Sequence, residues 1–313
     1  MHASDCDPEP GVRLADAGAG SSSVRCALVW LYASFASSFG GGNPAGVVLS
    51  AQRIASRTAQ ATAAMLGAPT TGFVLLDNAA ASGSAGVRFF TPEQEIDACG
   101  HVSIAIATAL AESGIWHWGR EARVRAAGGE FPLRLGDRCV EMEQRRQTVE
   151  PASIDWSDVK AALGPIRPRP ELPLAVAATG LRHLIVPLAD VAALTDVALD
   201  RGRITALARR SAVDTICVWA RTAERSRIRI RDLCAPIGAV EEAASGTTAG
   251  ALGLYLATHG QLDGPELSID QGVEMGRPSR IEVVVSSSEV VTVRGKALRL
   301  LTGTLDLPSV TLV

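Results

Sequence analysis

TPEQEIDACGHVSIAIATALAESG, residues 91–114, opens as an acidic, glycine-bearing loop and then runs through Ala and Ile with almost no polar side chain. A helix that is apolar all round is buried on every side, so this stretch predicts a central helix with the rest of a lobe wrapped about it. CAPIGAVEEAASGTTAGALGLYLATHG, residues 234–260, repeats the pattern: acidic loop, glycine, then an Ala/Gly/Leu-rich helix. Cys99 and Ser245 hold equivalent places, and 245 − 99 = 146 residues, close to half of the ordered chain. Two copies of one βαβ-type unit explain that spacing.

The flanking sequence supports the duplication. Residues 24–35 are rich in β-branched and aromatic residues and meet the turn GGGNP before a second strand-like run, GVVLS. A helix over 54–66 stops at Gly67-Ala68-Pro69, and strands are expected over 71–76 and 87–90. The second half replays the order, with strands near 184–187, 215–220 and 226–233 and a helix-like stretch through 194–208. The fold class is therefore α/β, in the α+β sense: two similar lobes, each a curled, mainly antiparallel sheet around a buried helix. The expected divisions are a disordered tail over 1–23, an N-terminal lobe over 24–148 and a C-terminal lobe over 149–313, with the last strands able to return to the first lobe.

Thirty basic and 33 acidic residues are spread along the 313-residue chain, so no basic stripe exists to neutralise a phosphate backbone, and nucleic acid is excluded as a partner. Residues 1–23 lack the basic start and apolar stretch of a secretory signal. No apolar run approaches the roughly 18 residues that span a bilayer. The expectation is a cytoplasmic protein with no membrane partner. The six cysteines (Cys6, Cys26, Cys99, Cys139, Cys217, Cys234) form no CxxC pair, and no His stands at zinc-ligand spacing, so neither disulfides nor a metal is expected.

The chemistry is expected at the two helix starts, where unpaired backbone N–H groups and the positive dipole end make the Gly100 and Gly246 regions anion sites suited to a carboxylate. Cys99 stands where the dipole lowers a thiol's pKa, and His101 titrates nearest neutrality, which makes both candidate proton carriers. Glu241 and Glu242 precede the second glycine, and a carboxylate buried between lobes would have the raised pKa that general acid–base work needs. Asn43 is either a turn residue or an amide for a polar substrate group.

Together GGNPAGVVL (41–49), RFFTPEQEIDACGHVSIAIATAL (88–110), TGLRHLIVPL (179–188), RDLCAPIGAVEEAASGTTAGAL (231–252) and QGVEMGRPSRIEV (271–283) resemble the PhzF-like family, named for the phenazine-biosynthesis isomerase. The resemblance implies the diaminopimelate-epimerase fold, an active site in the interlobe cleft, a homodimer, a small carboxylate substrate and no cofactor. It places Asn43, Gly100, Ser103, Ser245, Gly246 and Thr247 in substrate-binding loops and His101 and Glu242 among the catalytic groups. Glu242 replaces an Asp of the phenazine isomerase's motif. The family's S-E-T-x-F-V segment, which carries its catalytic Glu, reads P-T-T-G-F-V here and puts Thr70 at that place.

The resemblance thus implies an isomerase of secondary metabolism, serving antibiotic-type pathways such as phenazine or alkylated-proline synthesis. It would shift a double bond by proton transfer, with Glu242, His101 or Cys99 standing in for the missing Glu. Two alternatives stay open. One is an amino-acid racemase, epimerase or dehydratase, weakened because Ser245 is a poor base where those enzymes hold a second thiol. The other is a catalytically inactive metabolite-binding member, favoured by the change at Thr70.

Overall fold

The computed structural model describes residues 25–145, 148–224, 226–286 and 290–307; the tail expected over 1–23, with Cys6, lies outside them. The first half runs β1 (Arg25–Ser34), β2 (Asn43–Ser50), α1 (Ser56–Leu66), β3 (Thr70–Leu75), α2 (Asn78–Ala81), β4 (Ser84–Phe90), β5 (Glu95–Ile96), α3 (Gly100–Glu112), β6 (Glu121–Ala126), β7 (Gly129–Leu135) and β8 (Val140–Arg145). The second runs β9 (Thr148–Pro151), α4 (Trp156–Leu163), β10 (Ala175–Ala178), β11 (Arg182–Pro187), α5 (Ala192–Thr195), α6 (Arg201–Arg210), β12 (Thr215–Arg221), β13 (Arg227–Leu233), β14 (Glu241–Glu242), α7 (Gly246–Thr258), β15 (Glu266–Gln271), β16 (Ser279–Val285), β17 (Val290–Gly295) and β18 (Ala297–Leu307).

Strand pairing repeats step for step. β1 to β2 is antiparallel, β2 to β3 parallel, β3 to β4 and β4 to β5 antiparallel, β4 to β6 parallel, then β6 to β7 and β7 to β8 antiparallel. The chain from β10 to β17 shows the same succession. The halves are stitched by β8 against β17 and by β18, which returns to pair along β1. This is the diaminopimelate-epimerase fold: two curled, mainly antiparallel sheets, each around one helix.

Those helices are α3 and α7. Residues 101–111 of α3 are all buried, as is nearly all of α7, and one apolar core runs through both lobes. Burying a side chain such as Ile104 stabilises by about 1.5–3 kcal/mol, so small and branched residues all round the helix hold the lobe on it. Thr108 avoids an unpaired hydroxyl by donating to the Ile104 carbonyl at 2.9 Å. Gly72 on β3 lets α3 approach: a Cβ there would lie 2.6 Å from Ile106 and 2.8 Å from Val102. A second apolar cluster joins α4, α5 and α6 to the outer face of the C-terminal sheet.

One expected element differs. The stretch 194–208 is two helices, because Asp200 is extended and caps α6 by accepting from the Arg203 N–H at 2.9 Å. Among the described residues no two cysteines form a disulfide with each other, and no helix is long and apolar enough to cross a membrane.

Candidate active site

Both glycine loops deliver their helices to one place. Cys99 and Ser245 are the extended N-cap residues of α3 and α7, and Gly100 and Gly246 are the first helical residues. The loops are tied across the lobes by Asn43, whose Nδ2 donates to Glu242 Oε1 at 2.7 Å and to the Ala244 carbonyl at 2.8 Å. Gly42, at φ +83°, makes the turn that starts β2 with Asn43. Ser34 Oγ donates to the His101 carbonyl at 2.6 Å, and Gln271 Nε2 donates to the Glu242 carbonyl at 2.8 Å.

At the centre, His101 Nδ1 lies 3.8 Å from Glu242 Oε1. Cys99 Sγ is 3.4 Å from His101 Nδ1, and the Thr70 hydroxyl reaches Cys99. Ser245 Oγ and Thr247 Oγ1 are 3.1 Å apart, and the Thr247 carbonyl accepts from Thr179 Oγ1 at 3.0 Å. Ser103 is buried in the first turn of α3, which it braces by donating its hydroxyl to the Cys99 carbonyl at 2.9 Å. Glu241 also leaves the site, since its carboxylate takes two hydrogen bonds from buried Arg231, at 2.9 and 2.7 Å.

The electrostatics favour neutral forms. Burial raises the Glu242 carboxyl, the nearby Asp232 carboxylate adds to this, and His101 and the Asn43 amide oppose it. Its side chain keeps 30% exposure. Burial lowers the His101 imidazole, with Glu242 opposing, so it is neutral near pH 7. For Cys99 the expectation of a lowered thiol is corrected: burial pushes it up to about 12, and the Glu242 charge adds, against the Val102 and His101 N–H groups and the Thr70 hydroxyl. Desolvation outweighs the helix dipole, and Cys99 stays a thiol.

Glu242 has neighbours to which the sequence does not point. Asp232, Cys234 and Glu242 each bring one donor atom within 4.8 Å of the others. The set does not fit a metal well: Glu242 Oε1 and Asp232 Oδ2 already accept hydrogen bonds, and burial drives the Cys234 thiol up when a ligand must be a thiolate. Behind it lie Thr248, His183 and Thr215, which the β11–β12 register and the first turn of α7 bring together.

Residues 32–303 match the family model for phenazine biosynthesis-like protein, PhzC-PhzF. An uncharacterized isomerase of Deinococcus radiodurans is 36% identical over 81% of this chain and 85% of that protein. The trans-2,3-dihydro-3-hydroxyanthranilate isomerase of Pseudomonas chlororaphis is 30% identical over 79% of this chain and 86% of its own length. A Bacillus anthracis PhzF-family structure superposes with a TM-score of 0.79 at 23% identity, covering 90% of this chain and 99% of that one. A hydroxyproline epimerase of Agrobacterium vitis, at 16% identity and a TM-score of 0.56 over 91% and 94%, shares the fold alone. With a matched pair of lobes, paired glycine loops and these likenesses, the chain belongs to the phenazine biosynthesis-like PhzC-PhzF family and is a PhzF-like isomerase.

Proposed function

We propose that this isomerase shifts a double bond within a small cyclic dienyl carboxylate of secondary metabolism by moving one proton, with Glu242 as the carrier and no metal or organic cofactor. The observation that carries the reading is the 3.8 Å approach of Glu242 to His101, a protonatable carboxyl beside a neutral imidazole between two helix starts. The substrate carboxylate sits against the N–H groups that open α3 and α7. Glu242 removes a proton from the saturated ring carbon, the electron pair spreads through the diene into that carboxylate, and a proton returns at the far end of the conjugated system. His101 holds a hydrogen bond to the substrate's polar group as charge develops. Thr70 has no acid–base capacity of its own, which is why the task falls to Glu242.

The name of the Pseudomonas relatives supports a substrate of the dihydro-hydroxyanthranilate kind. The test is to incubate the purified chain with trans-2,3-dihydro-3-hydroxyanthranilate in D₂O and follow the ring by ultraviolet absorbance and mass spectrometry. The expected result is a shifted absorbance and deuterium in the product; an unchanged spectrum with no exchange overturns the substrate reading. A homodimer is part of the proposal, and sedimentation reads it directly.

A second reading, a two-base epimerase, is favoured by Cys99 and Ser245 at matched N-caps. The raised Cys99 thiol argues against it, since such a thiol yields almost no thiolate at neutral pH.

A further inference from the structure

Ser245 is backed by a buried polar chain that the fold does not require. Thr248 Oγ1 is 2.9 Å from Ser245 Oγ and donates to Asp232 Oδ2 at 2.6 Å. His183 Nδ1 lies 3.3 Å from Thr248 Oγ1 and 2.7 Å from Thr215 Oγ1. Asp232 is 0% exposed, and its Oδ1, like His183 Nε2, has no hydrogen-bond partner among the described residues. Ser245, at 8% exposure, is the end of the chain nearest the cleft.

The duplication supplies the control. In the C-terminal lobe Asp232 pairs with Glu242, while the equivalent pair in the first lobe is Phe89 with Ile96. α7 starts 146 residues after α3 (246 − 100), so Thr248 matches Val102. His183, which opens the β11 to β12 register, matches Ala45, which opens that of β2 to β3. Phe89, Val102 and Ala45 are all 0% exposed. One lobe therefore fills these places with hydrocarbon, and the other holds there an aspartate, a threonine and a histidine. A buried carboxyl group with an unpartnered oxygen is costly to the fold, and such arrangements concentrate at functional sites.

We propose that Asp232, acting through Thr248, makes the Ser245 hydroxyl the second proton-transfer group of the site, delivering the proton that Glu242 does not return itself. The inference rests on the isomerase reading above. In the step, Ser245 Oγ–H protonates the far carbon of the substrate's delocalised anion. With Asp232 as the carboxylic acid, its O–H donates across the 2.6 Å contact to Thr248 Oγ1 and the Thr248 hydroxyl turns along the 2.9 Å contact to Ser245 Oγ; Ser245 Oγ then takes the Thr248 proton, and Thr248 takes the proton of the Asp232 carboxyl. Asp232 is left as carboxylate and Glu242, which removed the first proton, as carboxylic acid. The site resets when that proton crosses from Glu242 to Asp232, a carboxyl oxygen of each lying within 4.8 Å of the other. No proton is gained or lost. Asp232 and Thr248 are positioning residues; Ser245 is the group that meets substrate.

The experiment uses trans-2,3-dihydro-3-hydroxyanthranilate deuterated at the carbon that loses its proton, in H₂O, with the intact wild type, Thr248→Val, Thr248→Ser and Asp232→Asn. The relay requires Thr248→Val and Asp232→Asn to lower kcat by roughly tenfold or more with KM within about twofold, the low end of what a general acid supplies. Residual turnover in these variants should carry more deuterium into product, because Glu242 alone must then return what it took. Thr248→Ser, which keeps the hydroxyl, should restore the wild-type label pattern. Wild-type kcat and label pattern in Thr248→Val overturn the relay while leaving the isomerase reading intact. No turnover by wild type defeats the substrate reading instead. The relay is then judged by proton NMR of the free protein: a slowly exchanging Thr248 hydroxyl resonance that disappears in Asp232→Asn supports it, and its absence from wild type overturns it.

Discussion

Asn43 donates its shortest hydrogen bond, 2.7 Å, to Glu242, which lies 199 residues further along the chain and in the other lobe. That contact stabilises the carboxylate against the burial that raises its pKa. Asn43→Ala should therefore raise the Glu242 pKa further, and the acid limb of the kcat/KM profile should move to higher pH, since the base is active only when deprotonated. An acid limb that stays put, or moves down, would show that another group sets it.

Glu242→Gln keeps the shape and the Asn43 contact but removes the titrating proton. Its kcat should fall by about 10²- to 10⁴-fold, the range for a well-placed general base, with the thermal midpoint little changed. His101→Ala should fall in the same range. Near-normal Glu242→Gln turnover would move the proton chemistry elsewhere.

Cys99 should behave as an inert thiol. With its pKa pushed up to about 12 by burial, only a minute fraction is thiolate at pH 7.5. Iodoacetamide should leave Cys99 unmodified in the folded chain and label it after denaturation, as peptide mass spectrometry would reveal. Cys99→Ala should cost roughly tenfold or less in kcat. Rapid labelling together with an inactive Cys99→Ala would restore the thiol-base epimerase reading.

How much of this was legible in sequence follows from the kind of signal each feature leaves. α3 and α7 were readable because an apolar surface on every side of a helix is a local pattern. The approach of His101 to Glu242 was readable because the duplication puts both glycine loops at equivalent helix starts. The Cys99 thiol was misjudged because two opposed effects meet there, and only packing decides that desolvation wins over the dipole. The break before α6 was missed because Asp200 reads equally well as a helix-surface residue and as a cap. The Asp232–Thr248 contact left no sequence trace at all: it needs the register of β13 against β14 and the first turn of α7 together.

Dialysis against a chelator should leave turnover intact. Of the Asp232, Cys234 and Glu242 donors, one oxygen of each carboxylate already accepts a hydrogen bond and the thiol is driven well above its ordinary range. Activity lost on chelation and regained on adding zinc would refute this.

Asp232→Asn should change stability in a pH-dependent way whose sign is fixed by linkage. Burial is the main cause of the raised Asp232 pKa, and the Thr248 hydroxyl only partly offsets it. The folded state thus holds the Asp232 proton more tightly than the unfolded state. Wherever the native state binds more protons, unfolding free energy falls as pH rises, here from the ordinary aspartate value upward through the raised one. Asparagine carries no such proton and escapes the loss. The lowered imidazoles of His101 and His183 act with the opposite sign, but both proteins share them, so they largely cancel in the difference. The variant's stability relative to wild type should therefore increase as pH rises above the ordinary aspartate value, reaching on the order of 1–3 kcal/mol, the scale for relieving an uncompensated buried polar group. Denaturant titrations of both proteins across that range supply the measurement. A flat difference would mean that Asp232 is not strained by burial, and a falling one that its charge is compensated by a partner the hydrogen-bond chain does not include.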